Sequence, residues 1–206
     1  MSRLPALSND QATDTTRQLF DGVKSKLGTV PNMMRAMGNS PAVLNGYLQF
    51  SGGLAKGSLS AKQRELIALA VGQANECDYC LAAHSALGKM AGLSAEQITD
   101  ARRAEAVDST DDALVKLATK LVRNRGHVSD DDLRDARSHG LDDAAIAEVI
   151  ANVALNVLNA ESVELDWEVL DADTVEISGY DNAGWTLEDY VLPRRASGNT
   201  YAEVWE

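Results

Sequence analysis

What most restricts the fold of this chain is a helix-start signal that recurs along it, each time ahead of an apolar run at helical spacing. Ser60-Ala-Lys-Gln63 and Ser94-Ala-Glu-Gln97 are capping boxes, in which the Ser hydroxyl and the Gln side chain each satisfy a backbone donor left open by the first turn. Ser129 precedes Asp130, Asp131 and Asp132, acids that complement the positive end of a helix dipole. Ser40-Pro41 is an N-cap with proline at the first helical position, where its missing N–H costs nothing. A chain punctuated in this way predicts an all-α domain of about seven or eight helices and no convincing strand before residue 160.

The apolar positions assign those helices. Ser8, Asn9 and Asp10 precede Leu19, Phe20, Val23 and Leu27, a first helix expected to end near Gly28. The piece TVPNMMRAMGNSP reads as a connector in which Pro31 opens a short turn of helix. The helix after Ser40 carries Val43, Leu44, Tyr47, Leu48 and Phe50 and should fray at Gly52 and Gly53 or run on to Gly57. The helix after Ser60 is nearly apolar on all sides beyond Glu65, which predicts a central, buried position. A break at Asn75 and Glu76 then brings Cys77 to the start of the next helix, which should stop near Gly88 or Gly92. Three further starts, at Asp108, Ser129 and Asp142, lead into runs ending with Ile146, Val149, Ile150, Val153, Leu155 and Val157.

Beyond Asn159 the character changes. Residues 160–206 hold twelve acidic and two basic side chains, all three tryptophans and three of the five tyrosines. Nearly all of the net charge of −12 therefore sits in this stretch. Val163, Leu165, Trp167 and Val169 alternate with polar residues, a period-2 pattern that suggests a short strand. The expected organisation is a helical domain over 1–159 and an acidic, Trp-rich extension over 160–206. Its aromatic content argues against pure disorder.

Charge of this sign excludes a nucleic-acid role, because phosphate backbones need clustered Lys and Arg. The first twenty residues contain no continuous apolar segment of the secretory type, and no window approaches the roughly 18 apolar residues of a membrane span. A cytoplasmic location is the expectation. Two cysteines at CxxC spacing in such a protein point to redox chemistry or metal binding rather than a structural disulfide framework.

Those cysteines lie in ELIALAVGQANECDYCLAAH, residues 65–84. On a helix of about 100° per residue, Cys80 falls about 60° from Cys77, His84 lies between them, and Tyr79, about 160° from Cys77, points elsewhere. A cysteine near a helix N-terminus gains from the backbone dipole that favours its thiolate. A sulfenic acid formed at one sulfur can condense with the other, and His84, one turn beyond Cys80, can take the thiol proton. Glu65 on the preceding helix is a candidate to orient His84. A zinc site would need a fourth ligand, and His127 and His139 lie far along in polar segments.

The arrangement resembles a known family. Glu65, eleven intervening residues, Cys77-Asp-Tyr-Cys80, three residues and His84 are similar to the signature of the alkylhydroperoxidase D-like (AhpD-like) proteins of the carboxymuconolactone decarboxylase superfamily. The flanking segment LSAKQRELIALAVGQANECDYCLAAHSALGKMAGLS resembles the peroxidase-related members. A weaker resemblance covers KLGTVPNMMRAMGNSPAVLNGYLQFSGGL and DDAAIAEVIANVALNVL, so that it spans roughly residues 15–158.

The resemblance implies an all-α fold, assembly into homo-oligomers, and a peroxidase activity that needs no metal, haem or other cofactor. It implies Cys80 as the peroxidatic cysteine, Cys77 as the resolving one, and Glu65 with His84 as a proton relay. Two departures stand out. Tyr79 occupies the place of a histidine that joins the relay in the best-characterised branch, and Asn156-Val-Leu-Asn159 runs into Ala160-Glu-Ser-Val where many relatives carry an Asn-Tyr-Phe-Asn-His-type segment.

The expected activity is a thiol-dependent peroxidase that reduces alkyl hydroperoxides or hydrogen peroxide and is itself reduced by an external dithiol or lipoyl-type reductant. One alternative is a decarboxylase-like proton-transfer enzyme of the same fold, which does not need a CxxC pair. The other is a non-enzymatic redox-sensing or interaction module whose extension docks a partner.

Overall fold

The computed structural model describes residues 4–164, with side chains as far as Asn159. Among the described residues there are nine helices and no strand: α1 Asp14–Leu27, α2 Asn32–Met37, α3 Pro41–Leu54, α4 Ala61–Ala74, α5 Asp78–Met90, α6 Ala95–Arg102, α7 Ser109–Arg123, α8 Asp130–Ser138 and α9 Asp143–Glu164. The all-α expectation holds, and the ninth helix is α2, inside the stretch read as a connector. No helix among the described residues is long and apolar enough to cross a membrane.

The start signals act as the sequence implies. Ser60 with Gln63, Ser94 with Gln97 and Ser129 with Asp132 all form two-way capping boxes, and Ser40 caps a helix with proline in its first turn. The first helix begins later than Ser8–Asp10 suggest. Gln11 folds back onto the Ser8 N–H and hydroxyl, closing a local turn, and Thr13 then accepts from the Thr16 N–H as the true cap. At the other end α9 continues through Val163 to Glu164, so the alternating pattern proposed as a strand opens inside a helix. Its remaining members, Leu165, Trp167 and Val169, lie outside the described residues.

Helix α4 is the centre of the molecule. Seven consecutive residues, Leu66 to Gly72, are buried, and α5, α6, α7 and α9 all pack on this helix. Its apolar circumference leaves no face for water, so it is stable only when surrounded. The main core joins Leu66, Ile67, Leu69 and Val71 to Leu114, Val115 and Ala118 of α7 and to Ile146, Val149 and Val153 of α9.

A second core holds the N-terminal helices together through Phe20, Val23, Met33, Met34, Met37 and Leu44. The Arg35 guanidinium lies 5.4 Å from the Phe20 ring centroid. Gly38 closes this core, because a Cβ there would come within 2.6 Å of the Phe20 ring. The Gly38 carbonyl accepts from the buried Thr16 hydroxyl at 3.1 Å.

Glu148 of α9 ties the bundle to the loop before α4. Its carboxylate accepts from the Ser58 N–H, the Ser58 hydroxyl and the Leu59 N–H at 2.8–3.0 Å. Those three donors hold its carboxyl below the ordinary range against a smaller push from burial.

Candidate active site

The turn from α4 into α5 sets the site. Past Ala74 the chain makes a Schellman ending: the Cys77 N–H donates to the Gly72 carbonyl at 2.9 Å and the Glu76 N–H to Gln73 at 3.1 Å. The residue in the left-handed conformation is Glu76, with φ +56°, where glycine would be at home. This turn delivers Cys77 as the N-cap of α5, and its sulfur accepts from the Cys80 N–H at 3.2 Å.

The two sulfurs are bonded as a disulfide, with Cα atoms 5.3 Å apart. Both cysteines are buried. The helix beneath comes close: a Cβ on Gly72 would lie 3.3 Å from the Cys80 Cβ, so the absence of a side chain there lets α5 settle onto α4. Cys77 caps α5 and Cys80 sits in its first turn. A thiolate released at either position meets the positive end of the helix dipole.

His84, one turn beyond Cys80, receives its partner from α4. Its Nδ1 lies 2.8 Å from Glu65 Oε2, with the side chains 16% and 20% exposed. An ionised carboxylate only accepts, so Nδ1 carries the hydrogen and Nε2 is left as the basic nitrogen of the neutral ring. Glu65 and His84 thus meet between α4 and α5, and Cys80 lies one helical turn before His84 on α5.

Two aspects of the sequence reading change. Cys77 has φ −90° and ψ 94°, extended backbone, so it does not lie on the helical wheel used to place Tyr79 on another face. With Cys77 outside the helix, Tyr79 packs against the cysteine pair and belongs to the site. Tyr47, read as an apolar-face residue of α3, is also nearby. Burial pushes its phenol above the ordinary range; a hydrogen bond with the Asn159 side chain opposes this, and Tyr79 and Glu65 are close enough to add to the rise.

Asn152, Asn156 and Asn159 are all buried on α9. They recur at i, i+4 and i+7 on an otherwise apolar helix, a stripe of amides that helical spacing places on one face. Asn152 and Asn156 turn their amides onto carbonyls one turn back, at 2.8 Å each.

This arrangement has counterparts among known proteins. The family model described as "Carboxymuconolactone decarboxylase family" matches residues 41–123, which include Tyr47, Glu65, both cysteines and His84. An uncharacterised peroxidase-related protein from Silicibacter sp. TM1040 is 26% identical, with a TM-score of 0.68 over 79% of this chain and 87% of its own. An uncharacterised peroxidase-related protein from Ralstonia eutropha JMP134, described as an alkylhydroperoxidase AhpD core, is 25% identical, with a TM-score of 0.70 over 81% of this chain and 90% of its own. The debrominase Bmp8, whose C82A form was solved with 2,3,4-tribromopyrrole, shares the fold at 17% identity and a TM-score of 0.64, over 77% of this chain and 86% of its own. No curated protein matches. Family model and structural likeness agree: residues 41–123 match the carboxymuconolactone decarboxylase family, and the chain has an all-helical fold similar to that of the AhpD-like, peroxidase-related proteins.

Proposed function

We propose that this protein is a cytoplasmic thiol-dependent peroxidase that reduces an alkyl hydroperoxide or hydrogen peroxide. The observation that carries this reading is the 2.8 Å hydrogen bond from His84 to Glu65, made one helical turn from a cysteine pair able to close a disulfide. A structural disulfide has no use for an oriented imidazole beside it. A thiol that must lose a proton before attacking has every use for one.

The cycle starts from the reduced pair. His84 Nε2 takes the Cys80 thiol proton, and Glu65 stabilises the imidazolium that forms. The thiolate attacks the terminal peroxide oxygen, the O–O bond breaks, and the departing oxygen leaves as alcohol or water once protonated. Cys80 is then a sulfenic acid. Cys77 attacks its sulfur, expels water and closes the disulfide. An external dithiol protein or lipoyl-type reductant reopens the pair by thiol exchange.

Self-association into a homo-oligomer is part of the proposal. Val43 and Phe50 of α3 with Ile150 and Leu158 of α9 are 39–47% exposed, on two helices that pack against each other. Apolar side chains gathered this way support an interface. Residues 1–159 are taken as the catalytic domain and 160–206 as an appendage to it.

The test is a stopped-flow assay of the reduced protein with an alkyl hydroperoxide. Cys80→Ser is expected to abolish consumption, and Cys77→Ser to allow one turnover followed by overoxidation of Cys80 to the sulfinic acid. Consumption by Cys80→Ser at the parent rate would sink the proposal.

A further inference from the structure

The two halves of the disulfide are not equivalent. Cys77 is the N-cap of α5, and its sulfur accepts from the Cys80 N–H at 3.2 Å. That N–H belongs to the first turn of the helix, where no intrahelical carbonyl claims it. Among the described residues no donor is directed at the Cys80 sulfur. Exposure does not separate the two cysteines, at 7% for Cys77 and 5% for Cys80. The hydrogen bond does.

The capping position is also pinned. The Cys77 N–H is spent on the Gly72 carbonyl at 2.9 Å, and the Cys77 carbonyl accepts from the Leu81 N–H at 3.0 Å. Opening the S–S bond therefore leaves the Cys77 backbone where it is, beneath the Cys80 N–H. A thiolate formed there keeps that donor, and an N–H bond to an anion is shorter and about twice as strong as one to a neutral group. The positive end of the helix dipole adds to the effect. Glu76 and Asp78, the acids on either side, are exposed, so water and salt screen their repulsion.

We propose that the disulfide is reopened by attack on Cys80, with Cys77 as the leaving thiolate. The inference rests on the peroxidase reading above and says which sulfur of that cycle the reductant meets. In thiol exchange the sulfur of the more acidic thiol leaves faster, and the N-cap makes Cys77 that sulfur. The balance closes for a dithiol reductant. Its first thiol gives its proton to His84 Nε2 and bonds to Cys80 while the S–S bond breaks and the electron pair passes to Cys77. Its second thiol then attacks the reductant sulfur held on Cys80, closing the reductant's own disulfide. Cys80 leaves and takes back the proton on His84, and the proton of the second thiol passes to Cys77. Two electrons have moved from the dithiol to the protein pair.

The test traps the first step on the oxidised, full-length protein. The probe is 2-mercaptoethanesulfonate, a monothiol that cannot close a ring on itself. After a brief exposure the reaction is stopped with acid, free thiols are alkylated, and fragment ions that break between Asp78 and Tyr79 locate the adduct. The mixed disulfide is expected on Cys80, with Cys77 alkylated, in at least about tenfold excess over the reverse. Adduct on Cys77 in equal or greater amount would overturn the assignment. The same trapping in guanidinium, where α5 and its N-cap are gone, is expected to give the two adducts in comparable amounts. A preference for Cys80 that survived unfolding would overturn the N-cap as its cause. No peroxide is used, so a parent protein inert in the stopped-flow assay overturns the peroxidase cycle, while the position of the adduct decides the assignment separately.

Discussion

Replacing Glu65 by glutamine removes one charge and almost nothing else. The side chain keeps its length and can still accept from His84 Nδ1 at the 2.8 Å seen for the carboxylate. What changes is the stabilisation of the imidazolium that forms when Cys80 gives up its proton. A hydrogen bond to a charged partner is worth about 1.5–3 kcal/mol and a neutral one about 0.5–1.5. The difference, about 1–1.5 kcal/mol, slows proton transfer about tenfold. Because both side chains are mostly shielded, at 16% and 20% exposure, solvent does not erase the effect. In stopped-flow with reduced protein, Glu65→Gln is therefore expected to consume alkyl hydroperoxide about tenfold more slowly, and Glu65→Ala more slowly still because nothing then fixes the tautomer. Thermal unfolding should drop by only about 2–4 °C for the loss of about 1 kcal/mol in a chain of this size. A Glu65→Gln protein with a lowered melting temperature and the parent rate would refute the relay and leave Glu65 a structural acid.

Other consequences are independent of the peroxidase reading. Gly38→Ala places a Cβ within 2.6 Å of the Phe20 ring, and the overpacking is expected to cost about 1–3 kcal/mol, read as an earlier urea midpoint. Glu76→Gly relieves a left-handed residue at φ +56° and should stabilise the fold by up to about 1 kcal/mol. Glu148→Gln probes the tie to Ser58 and Leu59. Its carboxyl is held below the ordinary range, so its contribution is present in full above the unfolded-state pKa and is lost as pH falls through the folded one. Because the carboxylate is largely hydrated, the parent should be more stable than the variant by no more than about 1 kcal/mol near neutral pH, with the gap shrinking under acid in parallel denaturant titrations.

Local signals carried much of this architecture. A Ser–Gln pair or Ser-Pro step acts within one turn, which is why the starts of α3, α4, α6 and α8 could be read directly. The Glu65–His84 pairing was carried by the family resemblance, because spacing fixes register within one helix and not between α4 and α5; the 2.8 Å contact comes from the way those two helices pack. Tyr79 was misplaced for a definable reason: an N-cap residue has extended backbone, so the 100° step from Cys77 has no meaning there. Tyr47 was read only as an apolar-face residue of α3, because the Asn159 amide that meets its phenol comes from α9 and only tertiary packing brings the two together. The start of α1 went wrong where two polar turns, at Ser8 and Thr13, competed for one helix.

What peroxide does to Cys77 and Cys80 decides whether this protein is a thiol peroxidase. Fully reduced protein treated with one equivalent of alkyl hydroperoxide, quenched by thiol alkylation and analysed by peptide mass spectrometry, is predicted to yield a Cys77–Cys80 disulfide with one equivalent of alcohol released. Two alkylated, unoxidised thiols with the peroxide intact would contradict it.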